Sequence, residues 1–144
     1  SIDYLPEPDI FHDVFGHVPL HADPVFADFL QTYGRAALTA SDPEDMTRLA
    51  RLFWFTVEFG LIQEDSRLKL YGSGLISSPG ESRHALESEK VERRPFDLDR
   101  VCDTDFEIDE FQPILYVLDS FEQLRDGMND YANRILEKNG ATTG

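Results

Sequence analysis

The chain has 144 residues, 41% of them hydrophobic and 12% aromatic, which suits one globular domain with a buried core and excludes a disordered chain. Its formal charge of −15 argues against nucleic acid and against an anionic membrane surface as partners, since both would repel it. No uncharged apolar run approaches the roughly 20 residues that span a bilayer, and no signal-peptide pattern opens the chain.

A soluble, cytoplasmic protein is therefore expected, organised as one unit over residues 1–144 without repeats or linkers. The single cysteine, Cys102, forms no internal disulfide and reads as a small core residue in a reducing compartment. Glu7-Pro8-Asp9 sets a proline at a first helical position beside acids that favour the helix dipole. A short helix is predicted from there to about Phe15, ended by Gly16 and Pro19. A second begins at Asp23-Pro24 and carries Val25, Phe26, Phe29, Leu30 and Tyr33 at helical spacing. In the third, Ser41 and Glu44 are spaced as a capping box, Pro43 lies just inside, and the apolar run continues to about Ile62. Its centre, residues 49–61, is apolar almost all round, broken mainly by Arg51, Thr56 and Glu58, as in a helix buried in a core.

Residues 67–71 alternate like a short strand, and Gly72-Ser73-Gly74 is read as a turn. Ser78 and Glu81 form a second capping-box pattern that opens a helix towards Glu87. A short helix is predicted around residues 97–103. Residues 106–108 and 113–118 could pair as strands, before Ser120 caps an amphipathic helix running to about Glu137. The sum is an α+β fold, mainly helical.

Two features carry chemistry. His12 and His17 stand five residues apart, which an unbroken helix would set about 140° from one another. They converge on one ion only if the helix ends between them, and Gly16 with the Val18-Pro19 step supplies that break. Spacing alone leaves open two unrelated histidines, one packed and one exposed. The second feature is Glu58, a carboxylate inside the apolar run 52–61. Burying it costs several kcal/mol unless a cation or hydrogen bonds compensate. A structural salt bridge remains an alternative, with Arg51 two helical turns away on the same face. Two imidazoles and one carboxylate form the ligand set of non-haem Fe(II) oxygenases, with positions left open for oxygen and co-substrate.

Pro6-Glu-Pro-Asp-Ile-Phe-His-Asp-Val-Phe-Gly-His-Val-Pro-Leu20 resembles the iron signature of the pterin-dependent aromatic amino acid hydroxylases. Phe53-Trp-Phe-Thr-Val-Glu-Phe-Gly-Leu61 resembles the segment bearing their carboxylate ligand. Tyr71-Gly-Ser-Gly-Leu-Ile-Ser-Ser-Pro-Gly-Glu81 is similar to their substrate loop, and Glu110-Phe-Gln-Pro113 to a further family segment. Four matches in order make the resemblance specific, and it lies nearest the bacterial phenylalanine 4-hydroxylase branch.

The resemblance implies a tetrahydropterin-dependent monooxygenase that converts L-phenylalanine to L-tyrosine with O2. It implies His12, His17 and Glu58 as Fe(II) ligands and Asp13, Ala50 and Phe53 along the pterin. It implies Pro8, Trp54, Gly74, Ser77 and Ser78 around the substrate, Ser77 also supporting His12. Asp13 stands where the best-known members carry glutamate, and Phe53 replaces a tyrosine. His21 and His84 fall outside the motifs and read as non-ligands.

The resemblance covers the later part of the family's catalytic domain. The fold is accordingly expected to be truncated on its N-terminal side, lacking most of the pterin platform and an arginine for the substrate carboxylate. Weak activity of this chain alone is then expected, with Trp54 and Phe55 uncovered and self-association through that face. A metal-binding fragment with little activity and a zinc hydrolase remain as rival readings. The histidine spacing argues against a zincin helix.

Overall fold

Residues 23–106 and 111–143 are described by the computed structural model, the side chains of 139–143 excepted. Capping chemistry places the helices. Asp23 opens α1 (Pro24–Thr39): its carboxylate accepts from the N–H groups of Val25 and Phe26 at 2.9 and 3.1 Å, and Pro24 takes the first helical position. Phe26, Phe29, Thr32 and Ala36 form its buried face. The helix α2 (Pro43–Phe53) is capped by Asp42, which accepts from Glu44 N–H at 2.9 Å. The expected cap, Ser41, is one residue too early, because a proline at the first helical position makes residue 42 the cap.

The apolar run also stops being helical sooner than expected. After Phe53 the chain passes into a π-helical turn, Trp54–Glu58, where Phe59 N–H reaches back five residues to the Trp54 carbonyl at 2.9 Å. Gly60 then releases the chain into strand β1 (Leu61–Glu64). A continuous apolar run does not separate buried helix from buried strand, and the glycine marks the change. Strand β2 (Arg67–Leu70) returns antiparallel, with Glu64 opposite Arg67. Asp65 and Ser66 make the two-residue connection at φ of 53° and 64°, the left-handed pair of a type I′ turn.

Residues 72–74 do more than turn the chain: Gly72 caps the one-turn helix α3 (Ser73–Ile76). Helix α4 (Pro79–Glu87) follows, and Ser78 caps it as read, accepting from Glu81 N–H at 3.3 Å. Next come strand β3 (Glu92–Pro95), helix α5 (Leu98–Cys102) and strand β4 (Ile114–Leu118). The last element is α6 (Phe121–Thr143), where the Ser120 hydroxyl accepts from Gln123 N–H at 3.1 Å.

The sheet runs β2-β1-β4-β3. Strand β4 pairs in parallel with β1 and with β3, Leu61 facing Val117 and Glu92 facing Ile114. Residues 107–110, which hold most of the strand expected at 106–108, lie outside the described residues, and Phe106 belongs to no strand. Strand β3 gave no signal because Glu-Arg-Arg-Pro carries no apolar alternation. Both faces of the sheet are covered. Ile62, Tyr116 and Leu118 face the larger core of α1, α2, α5 and α6, while Leu61 and Leu115 face a smaller one built with Leu70, Leu75, Ile76 and Ala85. The alternation along β4 is the period of two that a strand imposes, here hidden in a sequence apolar on both sides. The fold is α+β and mainly helical, and no helix among the described residues is long and apolar enough to cross a membrane.

Two arginines fasten α5 and the residues after it to α2. Arg48 contacts the carboxylates of Asp99 and Asp103, and Arg51 contacts Asp105 and the Cys102 carbonyl, the latter at 3.1 Å. Cys102 is itself buried, and burial pushes its thiol up to about 12. At pH 8 it therefore stays protonated, and iodoacetamide should label it only after denaturation; rapid labelling of the folded protein would contradict this packing. Replacing Ser66 with glycine should relieve the left-handed backbone and raise stability by a few tenths to about 1 kcal/mol. An unchanged or lowered thermal midpoint for Ser66→Gly would show that the turn is not strained.

Candidate metal centre

Glu58 ends the π turn and is half-buried. Its carboxylate makes no hydrogen bond or ion pair with any described residue. Arg51, the alternative partner suggested by spacing, is turned instead to Asp105 and Cys102. The position of Glu58 is set by packing. The chain at Gly72 and Gly74 passes so near that a β-carbon on Gly72 would lie 2.5 Å from the Glu58 carbonyl oxygen, and one on Gly74 3.2 Å from Oε1 of the carboxylate. The N–H groups of Tyr71 and Gly72 both donate to the Gly60 carbonyl at 3.1 Å, and the Ser73 hydroxyl donates to the Val57 carbonyl at 3.3 Å. The Tyr71 ring lies where a Gly60 side chain would be. Its hydroxyl is buried with no hydrogen-bond partner among the described residues, and desolvation holds its pKa well above 10.

An aromatic wall stands beside this carboxylate. Trp54, half-buried, stacks on Phe106 with ring centroids 4.4 Å apart and meets Phe59 at 4.6 Å. Its indole N–H donates to Gln112 Oε1 at 3.1 Å. Phe55 is only 1% exposed, edge-on to Phe106 and Tyr116. It is therefore not uncovered as expected, because it points into the sheet core.

The structure brings Trp54, Glu58 and Gly74 together. Ser77 closes α3, with its hydroxyl 3.4 Å from the Gly74 carbonyl, and Ser78 opens α4. Ala50 is exposed on the last turn of α2, where its carbonyl accepts the Trp54 N–H. Phe53 is half-buried against the Tyr33 ring at 5.7 Å. His12, His17, Asp13, Pro8 and His21 lie outside the described residues, and among the described residues no group of three metal-binding side chains is assembled. His84 packs on Phe111, ring centroids 4.8 Å apart. Sequence reasoning gave no role to Gln112 and only a capping role to Glu81. The 110–113 motif flagged the first, and a glutamate at a capping-box position hides the second.

The biopterin-dependent aromatic amino acid hydroxylase family model matches residues 1–141. The phenylalanine-4-hydroxylase of Ralstonia nicotianae is 52% identical over 126 residues, and that of Chromobacterium violaceum 50% over 138 residues. These alignments cover 88% and 95% of this chain but 40% and 46% of the relatives, so the chain spans less than half their length. The crystal structure of the Chromobacterium violaceum enzyme with bound oxidized Fe(III) superposes with a TM-score of 0.77 at 47% identity, covering 95% of this chain and 50% of that one. The chain belongs to the biopterin-dependent aromatic amino acid hydroxylase family.

Proposed function

We propose that this chain carries the iron site of a tetrahydropterin-dependent monooxygenase that hydroxylates L-phenylalanine to L-tyrosine, with His12, His17 and Glu58 as the metal ligands. The observation that carries the reading is the Glu58 carboxylate: half-buried, without a partner among the described residues, and aimed by its backbone rather than by hydrogen bonds. Such a carboxylate fits a cation, which would compensate its burial. The family's dependence on biopterin and the Fe(III) bound in the similar crystal structure support iron and pterin as the groups concerned. When bound, they would supply the activation of O2 for insertion of one oxygen atom into the substrate ring.

The chain's own residues bind and orient. Trp54 presents an aromatic edge to the substrate ring beside Pro8. Gly74, Ser77 and Ser78 receive the polar end of the amino acid, with Ser77 also assigned to support His12 as a ligand. Asp13, Ala50 and Phe53 border the pterin. Phenylalanine is favoured over other aromatic amino acids because four relatives at 50–52% identity are all phenylalanine-4-hydroxylases.

The full-length protein, loaded with Fe(II) and given tetrahydropterin and phenylalanine, should form tyrosine at an ordinary enzymatic rate, roughly 1–10³ s⁻¹. Glu58→Ala should lose stoichiometric iron together with turnover. Retention of iron by that variant, or hydrolysis supported by zinc in the wild type, would overturn the reading. A gentler perturbation is Gly74→Ala. Its methyl would lie 2.9 Å from the Glu58 carbonyl and 3.2 Å from its carboxylate, so iron should bind roughly tenfold more weakly with stability lowered by about 1–3 kcal/mol. Unchanged iron affinity in Gly74→Ala would mean that this close packing does not aim the ligand.

A further inference from the structure

The Trp54 indole is held by a relay that the reading above leaves unused. Its N–H donates to Gln112 Oε1 at 3.1 Å, and the Gln112 backbone N–H donates to Glu81 Oε2 at 3.0 Å. Both relay residues are buried, Gln112 at 2% exposure and Glu81 at 8%. No lysine or arginine among the described residues pairs with Glu81. Three residues after the Ser78 cap, a glutamate ordinarily folds back onto the N–H of the cap residue. Here the Ser78 N–H donates to the Leu75 carbonyl instead, and Glu81 reaches across to Gln112. A buried carboxylate placed in this way is costly unless its hydrogen bonds are retained.

Phe106 and Phe59 set the plane of the indole, but stacking leaves a ring free to rotate within that plane. Among the described residues, the directional bond to Gln112 is the indole's hydrogen bond, and it fixes that rotation. Gln112 is in turn tied to Glu81, and Glu81 to the helix that begins at Ser78. We propose that Gln112 and Glu81 are positioning residues for the aromatic amino acid: they orient the Trp54 indole and couple it to the Gly74–Ser78 segment. The ring pocket and the polar-end pocket of the substrate are then adjusted as one unit. This inference rests on the proposed substrate roles of Trp54, Ser77 and Ser78.

The test uses the full-length protein with Gln112→Met, Glu81→Met and Glu81→Gln, the last retaining an oxygen acceptor at the same reach. Gln112→Met and Glu81→Met should raise KM for phenylalanine roughly tenfold, while pterin KM and iron content stay at wild-type values. Glu81→Gln should recover most of that loss. The emission of Trp54, isolated by difference against Trp54→Phe, should shift in the two methionine variants and return in Glu81→Gln. In the Trp54→Phe background, Gln112→Met should add nothing further. Wild-type KM and emission in Gln112→Met, or full additivity with Trp54→Phe, would overturn the proposal. If Gln112→Met does not fold, the Glu81 pair decides, and identical behaviour of Glu81→Gln and Glu81→Met would sink it. A wild-type protein that forms no tyrosine would defeat the hydroxylase reading alone; the emission shift and its recovery would still decide whether the relay orients Trp54.

Discussion

Gly72 and Gly74 lie against the backbone of Glu58 and Gly60 with no space for a side chain between them, and the arrangement of the centre follows from that contact. Strands β1 and β2 leave and return through the same point, because Tyr71 and Gly72 both donate to the Gly60 carbonyl. The hairpin is therefore clamped at its base as well as by its own ladder. For Glu58 in its proposed role as a metal ligand, the clamp also resolves a conflict that metal sites face. A ligand carboxylate must be held still, yet hydrogen bonds that hold it compete for the lone pairs the cation needs. Here backbone packing holds Glu58, and its oxygens remain uncommitted to any described residue.

That clamp would be of little use on a loose helix, and α2 is secured on several sides. Leu49 and Leu52 enter the larger core. Buried Asp45 accepts from the Tyr131 hydroxyl at 3.2 Å and from Lys138 at 2.8 Å, fixing the register of α2 against α6. Arg48 and Arg134 lie over the Tyr131 ring at 5.5 and 5.3 Å. The π turn then follows this rigid helix over Trp54–Glu58, the stretch that carries the residues proposed for ring and metal. The extra residue in this terminal turn re-aims its side chains just before the helix gives way to β1.

Most helices were legible because their signals are local: Asp23-Pro24, Pro43, Ser78 and Ser120 all mark starts that the structure keeps. The strands β1 and β3 were not legible. Leu61-Ile62 continues an apolar helical run without a break other than Gly60, and β3 is a polar edge that exists only because β4 lies beside it. For the site, the motifs singled out Trp54, Glu58 and Gly74 before their proximity was known. They did not reveal the relay through Gln112 and Glu81, because a backbone N–H acting as the middle donor leaves no residue-type signature. Nor did composition show that Phe55 is almost fully buried while its neighbour Trp54, touching the same Phe106 ring, stays partly exposed.

The arginine seam between α2 and the 99–105 segment has a consequence for ionic strength. With a formal charge of −15, the folded chain repels itself, and salt screens that long-range repulsion once the Debye length falls to about 10 Å near 0.1 M. The contacts of Arg48 are far shorter than this, and its side chain is only 16% exposed although Asp99 and Asp103 are 56% and 68% exposed, so the same salt weakens them less than it weakens the long-range repulsion. Moderate electrolyte thus favours the folded form on balance, and very dilute buffer is the harsher medium for this domain.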